Sequence, residues 1–299
     1  MPPPSVFLRR IAPKDHEAIA AFLDGRTLAL RWLVAFFRRQ DLFPEEESER
    51  WSFWCGVDEE GKLACVAAHF FPLATTYLVS RGPAEDAAAG AGGAELSGLA
   101  DLLEEELLPE RIVGDARTME ALRSALPEVF DRASRERRTF VLAATADPGA
   151  SSGGAADPET AGTFRAATRS DLGILEEYGR LFAAETGDDP GFDFETLVEH
   201  GLVFVVARDG KVAGLIRSNV SDGKYVHGGM LYVHPRWRSR GVGRELARGL
   251  GRWVRERDGA TAILDVGEEN AAALRAYEAA GYRKVGEGLE LLMGEEAWG

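Results

Sequence analysis

The sequence predicts a mixed α/β protein built from two similar halves in tandem. Three observations predict it. First, Thr145 to Gly162 reads TADPGASSGGAADPETAG, rich in small residues and without apolar periodicity, so 145–163 is expected to link two folded parts, 1–144 and 164–299. Second, both parts open alike. Leu8-Arg9-Arg10-Ile11-Ala12-Pro13-Lys14-Asp15 and Phe164-Arg165-Ala166-Ala167-Thr168-Arg169-Ser170-Asp171 each read as a short strand leading to an Asp suited to cap a helix. Third, a strand, an acidic turn and a second strand recur as Phe53–Val57 with Gly61–Ala67 and as Val203–Ala207 with Gly210–Ile216, which is β-hairpin patterning. The two kinds of match are offset by 156 and 149 residues and keep their order, as a duplicated fold requires.

Within 164–299 the pattern predicts strand 164–167, helix 171–185, a hairpin over 203–219, strand 226–233, helix 241–257, strand 261–266, helix 271–280 and strands 282–286 and 289–293. That succession gives a mixed sheet with helices on its faces. Val242, Leu246, Leu250 and Val254 fall at helical spacing with Trp253 beside them, so one side of the 241–257 helix is the buried side. The first half departs after its hairpin. A loop over 83–94 and helices over 95–107 and 116–125 are expected there, and no glycine-rich turn with basic residues joins a strand to a helix.

Composition narrows the class. Hydrophobic residues make up 45% of 299 residues, enough for packed cores. No apolar run approaches the roughly 18 residues that cross a bilayer, and Met1-Pro2-Pro3-Pro4-Ser5 opens no signal sequence, so no membrane partner and a cytoplasmic location are expected. Cys55 and Cys65 flank a turn and could face each other across a hairpin. In a reducing compartment they are expected as buried thiols, and no metal site is expected. A net charge of −14 argues against nucleic acid as a partner. Against that background, 236–257 holds eight arginines and only Glu245 and Glu256. Such an island is either a local anion site or a solvated helix face.

The first turn of that helix favours the anion. Met230-Leu231-Tyr232-Val233 is a strand stopped near Pro235, and Arg236-Trp237-Arg238-Ser239-Arg240-Gly241-Val242-Gly243 leads into the helix. The first N–H groups of a helix are unpaired and its N-terminal end is positive. Arg238, Arg240 and Arg244 around such an end repel it unless an anion is bound, and glycines at 241 and 243 leave room for backbone N–H groups to approach phosphate oxygens. A diphosphate satisfies both features; a glycine-bearing turn with its arginines in solvent is the simpler structural reading. The G-x-x-x-x-G-K-[ST] pattern is absent, and Leu246 stands where G-x-G-x-x-G needs its third glycine.

Arg238-Ser239-Arg240-Gly241-Val242-Gly243 fits Q/R-x-x-G-x-G/A, the cofactor motif of the GNAT superfamily of acyl-CoA-dependent N-acetyltransferases. The chain resembles that family over about 164–293: the strand ending Leu231-Tyr232-Val233-His234-Pro235 precedes the motif, and Asp265-Val266, Asn270 and Tyr277 follow it. The first half resembles a degenerate copy, so the resemblance implies two GNAT-like mixed α/β domains in tandem, the second with the complete motif. It implies acetyl-CoA or coenzyme A as cofactor, held by main-chain groups of Leu231 and Val233, by Arg238, Ser239, Arg240, Gly241, Val242, Gly243 and Arg244 around the pyrophosphate, and by Asn270, which also suits a helix N-cap. It implies direct acyl transfer to a small-molecule or peptide amine, by a monomer or homodimer. Tyr277 is the implied general acid, since a phenol can protonate a departing thiolate of similar basicity. For the base, Glu185, Glu195, His227 and His234 are candidates by type, with Glu185 first because it follows the first helix of the half. The alternative is a non-catalytic acyl-CoA-binding interaction module. A version with both halves active is disfavoured by the missing motif in the first.

Overall fold

A computed structural model of the chain describes residues 6–38, 50–81, 96, 98–145, 163–187, 193–219, 221–294 and 297–298. Most of the expected linker, 146–162, and the loop expected over 83–94 lie outside the described residues. The chain divides into two compact units, Met1–Thr139 with Gly286–Gly299, and Phe140–Val285. This division differs from the expected 1–144 and 164–299. Phe140, Leu142 and Ala144 pack into the second unit's core. Leu289, Leu291, Met293 and Trp298 pack into the first unit's core. No helix among the described residues is long and apolar enough to cross a membrane.

The first unit runs β1 (Phe7–Arg10), α1 (His16–Asp24), α2 (Arg31–Arg38), β2 (Trp51–Val57), β3 (Leu63–Phe70), β4 (Thr75–Ser80), α3 (Leu99–Asp101, continuing as a π-helical turn to Leu107), β5 (Arg111–Asp115), α4 (Ala116–Ala125), α5 (Pro127–Asp131) and β6 (Ala133–Ala144). Strands β1 to β4 pair antiparallel in sequence, and β4 pairs parallel with β5. The β2–β3 register sets Cys55 opposite Val66 and Cys65 opposite Gly56. Offset by one position, the two thiols point to opposite faces, and both are free and buried.

The second unit runs β7 (Thr163–Ala166), α6 (Leu172–Thr186), α7 (Phe194–Glu199), β8 (Val203–Arg208), β9 (Lys211–Ser218), β10 (Tyr225–Val233), α8 (Val242–Asp258), β11 (Thr261–Gly267), α9 (Ala271–Ala279) and β12 (Tyr282–Met293), whose end from Gly286 belongs to the first unit. Strands β7 to β10 are antiparallel neighbours, and β10 and β11 are parallel. One face of this sheet buries Val242, Leu246, Leu250 and Val254 of α8 against Phe204, Ile216, Val226 and Leu264, as the helical spacing predicted. Each such side chain contributes on the order of 1.5–3 kcal/mol by leaving water. The other face packs Leu175 and Tyr178 of α6 and Phe194 and Val198 of α7 on Val205, Leu215 and Tyr232.

Two local expectations change. The short α7 adds a helix that the sequence pattern does not predict; Asp193 caps it by accepting from Glu195 and Thr196 N–H. The two final strands are one strand, Tyr282–Met293. The glycine at 288 interrupts the apolar pattern without turning the chain: a Cβ there would lie 2.6 Å from Thr139 Oγ1 and 3.0 Å from the Gly114 carbonyl oxygen. Glycine is needed for close strand approach.

The duplicated opening is visible atom by atom. Arg9 Nη1 and Nη2 donate to Asp15 at 2.6 and 2.9 Å, and Ala12 N–H donates to the same carboxylate at 2.8 Å. In the second unit, Arg165 donates to Asp171 at 2.7 and 2.9 Å, and Thr168 N–H at 2.8 Å. In each unit an arginine on the first strand thus fastens that strand to the start of the first helix.

Candidate active site

The site is built where β10 and β11 part. They pair from Tyr225 opposite Thr261 to Gly228 opposite Leu264. Beyond that, the register of β10 against β9 shifts between Gly229 and Tyr232, and Met230 takes a left-handed φ of 42°. The bulge bends the strand away from β11. His234 N–H donates to the Ala213 carbonyl on β9. Main-chain groups alternate sides along a strand, so those of Leu231 and Val233 face the opened gap. The Val233 carbonyl there accepts from Arg238 Nε at 3.0 Å.

The expected phosphate turn closes one end of that gap. A 3₁₀ turn over Pro235–Trp237 leads through Arg238 to Ser239, at φ 59°, and Gly241, at φ 81°. Ser239 and Gly241, on either side of Arg240, thus both take the left-handed backbone from which anion nests are built. Gly241 is the N-cap of α8 and has no side chain to cap it. The first intrahelical bond runs from Glu245 N–H to the Gly241 carbonyl, which leaves the N–H groups of Val242, Gly243 and Arg244 without a helical partner. Only Gly241 needs its missing side chain for conformation. A methyl at 243 would sit 3.6 Å from Ala276 Cβ and 3.8 Å from Leu231 and Val233, an ordinary contact, which explains why glycine or alanine serves there.

The arginine island divides by task. Arg248 and Arg255 donate to the carbonyls of Ala279 and Thr145 and hold structure. Arg238 donates to both oxygens of Glu185 at 2.7 Å. The Arg240 guanidinium lies over the Trp237 ring, 5.5 Å from its centroid. Arg236, Arg240 and Arg244 have no carboxylate partner among the described residues. Half-buried Glu245 pairs with Arg208 and ties α8 to β8.

Asn270 caps α9, its Oδ1 accepting from Ala273 N–H at 3.1 Å. On that helix Ala276 touches the Gly243 position, and Tyr277 is 6% exposed within the core of the unit. Burial, reinforced by the charge of Asp265, drives the Tyr277 phenol well above its ordinary pKa, so it is a protonated donor. Its hydroxyl has no hydrogen-bond partner among the described residues.

The four candidate bases are scattered. Glu185 is engaged by Arg238, and the Tyr232 hydroxyl is 3.4 Å away. Glu195 is 3.8 Å from Arg169 on the exposed side of α7. His234 Nδ1 accepts from Arg236 N–H at 3.3 Å. His227 is different: its Nε2 lies 2.6 Å from Asp265 Oδ2. In the sequence Asp265 marks only the end of a strand. Its pairing with a histidine on another strand depends on the parallel register, which no local pattern reports.

An anion nest beside parted parallel strands can take a diphosphate and pass an extended arm along the exposed edge of β10. Residues 172–282 match the model of the acetyltransferase (GNAT) family. The second unit therefore carries a GNAT acetyltransferase domain. Solved structures extend the likeness to the whole chain. A GNAT-family acetyltransferase from Colwellia psychrerythraea is similar at TM-score 0.61 and 12% identity, covering 96% of this chain and 100% of that one. A GCN5-related N-acetyltransferase from Sphaerobacter thermophilus is similar at TM-score 0.61 and 17% identity, over 97% and 96%. A tandem GNAT protein from the clavulanic acid biosynthesis pathway is similar at TM-score 0.57 and 14% identity, over 96% and 98%. At these identities the likeness is one of fold: mixed α/β GNAT units in tandem. No curated protein matches the sequence.

Proposed function

We propose that this protein transfers an acyl group, acetyl first among them, from coenzyme A to an amine, and that the second unit alone does so. The observation that carries the proposal is the adjacency of the nest at 238–244 to the parting of β10 from β11. The residues fit the cofactor: unpartnered N–H groups of Val242, Gly243 and Arg244 face a pyrophosphate, with Arg240 and Arg244 supplying positive charge. The main chain of Leu231 and Val233 offers strand-like hydrogen bonds to the pantetheine arm, and Asn270, which caps the helix after β11, offers a further polar group. When bound, acyl-CoA supplies an activated thioester. Tyr277 holds a proton for the leaving sulfur: burial keeps the phenol protonated, and the match with the thiolate requires that the same dry surroundings raise the basicity of the departing sulfur as well. Glu185 fixes the guanidinium of Arg238 at the first position of the motif, and we assign it that positioning role. The acceptor must reach the site as a free amine.

Calorimetry with coenzyme A tests the first half of the proposal, with one molecule bound per chain as the expected result. Thiol release from acetyl-CoA in the presence of polyamine, aminosugar and lysine-peptide acceptors tests the second. Binding without thiol release from any of them replaces this reading with that of an acyl-CoA-binding module. Two molecules per chain would show that the first unit is a second site.

A further inference from the structure

We propose that His227 Nδ1, oriented by Asp265, is the atom that takes the proton from the acceptor amine; this rests on the acyl-transfer reading above. An ionised carboxylate has only lone pairs to offer, so in the neutral ring the 2.6 Å contact puts the proton on Nε2 and leaves Nδ1 as an acceptor. Nδ1 has no hydrogen-bond partner among the described residues. Val226, Ala262 and Leu264 pack toward α8, so His227 and Asp265, one position out of phase with them, project from the opposite face of the sheet. The imidazole is sheltered at 12% exposure while the carboxylate remains reachable at 34%. The charge of Asp265 also acts on Tyr277, so proton acceptor and proton donor share one neighbour at the open end of the two strands.

The first unit supplies an internal control. Its parallel pair β4–β5 ends with Leu78 opposite Gly114, as β10–β11 ends with Gly228 opposite Leu264. Counting from those last pairs, Tyr77 stands at the place of His227 and Asp115 at the place of Asp265. There Asp115 caps α4 directly, accepting from Thr118 N–H and Oγ1 at 2.9 and 3.0 Å. The Tyr77 ring packs edge-on against Trp32, 5.1 Å between centroids. In the second unit the helix starts only at Ala271, five residues after the equivalent point, which frees Asp265 for the imidazole. Of the other three candidate bases, Glu185 is held by Arg238, His234 Nδ1 accepts from Arg236 N–H, and Glu195 lies on the exposed side of α7, 62% exposed and 3.8 Å from Arg169.

The step balances without a further reactant. The amine nitrogen bonds to the acyl carbon as the carbon–sulfur bond breaks. One N–H proton passes to Nδ1, the Tyr277 proton passes to sulfur, and solvent then takes the proton from the imidazolium and returns one to the phenolate.

The test uses the full chain, acetyl-CoA and whichever of the polyamine, aminosugar or lysine-peptide acceptors the wild type acetylates. His227→Ala is expected to lower kcat on the order of 100-fold with coenzyme A affinity within about twofold, and added imidazole to restore part of the loss. Asp265→Asn is expected to lower kcat by about tenfold. Nitrogen NMR of histidine-labelled protein needs no acceptor: His227 is expected as the Nε2–H tautomer, shifting in Asp265→Asn. Wild-type turnover in His227→Ala, or an Nδ1–H tautomer in the wild type, overturns the dyad and leaves the acyl-transfer reading standing. A wild type that binds coenzyme A and acylates nothing overturns both.

Discussion

Two parallel strand pairs in this protein end in opposite ways. In the first unit, beyond Leu78 and Gly114, Ser80 N–H donates to Thr118 Oγ1 at 3.0 Å, and Thr118 donates to Asp115. The first turn of α4 thus stitches β4 to β5 and closes the place where they could part. In the second unit a bulge at Gly229–Tyr232 bends β10 away, the following helix begins later, and the gap stays open. The same strand pairing becomes a sealed joint or a ligand site according to how soon a helix follows and whether a bulge precedes it.

The sharpest way to break that contrast is to act on the open pair. Tyr277→Phe keeps the ring and removes the proton, so thiol release is expected to fall on the order of 100-fold while calorimetric coenzyme A affinity changes little. Unchanged turnover removes Tyr277 from the chemistry. On the sealed pair, Thr118→Val leaves the Ser80 N–H and the Asp115 carboxylate short of a partner in a site where Thr118 is 1% exposed. Urea unfolding should register a loss of about 1–3 kcal/mol, with coenzyme A affinity unmoved. A change in that affinity would contradict the assignment of binding to the second unit.

The two opening motifs allow a finer comparison. Hydrogen bonds from Arg9 and Arg165 lead the causes that pull Asp15 and Asp171 from 3.8 to about 2. Because the folded values are the lower ones, the stabilisation is complete above about pH 4 and is lost as pH falls toward 2. Asp171→Asn should cost about 1–2 kcal/mol at neutral pH and flatten the acid limb of a melting-temperature profile. Asp15→Asn should do the same to a smaller degree, since its Arg9 partner is 44% exposed against 37% for Arg165. Equal losses would show that exposure does not set the difference. Smallest of all is the contrast inside the nest. Gly243→Ala should leave coenzyme A affinity within about twofold because the methyl has room, whereas Gly241→Ala forces a left-handed alanine at about 1–2 kcal/mol. Equal effects on a calorimetric titration would remove the conformational role of Gly241.

Much of this was legible in the sequence because it is local. The amphipathic spacing of Val242, Leu246, Leu250 and Val254, the cap at Asn270 and the repeated Arg–Asp openings each involve residues within a few positions of one another. Charge patterning also found the arginine island, but it could not separate Arg248 and Arg255, which bond distant carbonyls, from Arg236, Arg240 and Arg244 at the turn.

By itself, then, the chain determined most elements of its second half, the repeated opening of the two halves and the turn from Arg238 to Gly243, since backbone conformation and helix amphipathicity follow from neighbouring residues. Tertiary structure decided the rest. Parallel register joined His227 to Asp265 across 38 residues. Core packing assigned 286–299 to the first unit, and an ion pair drew Glu185 to Arg238. Each of these depends on which strand lies beside which, and strand pairing is settled by burial over the whole sheet.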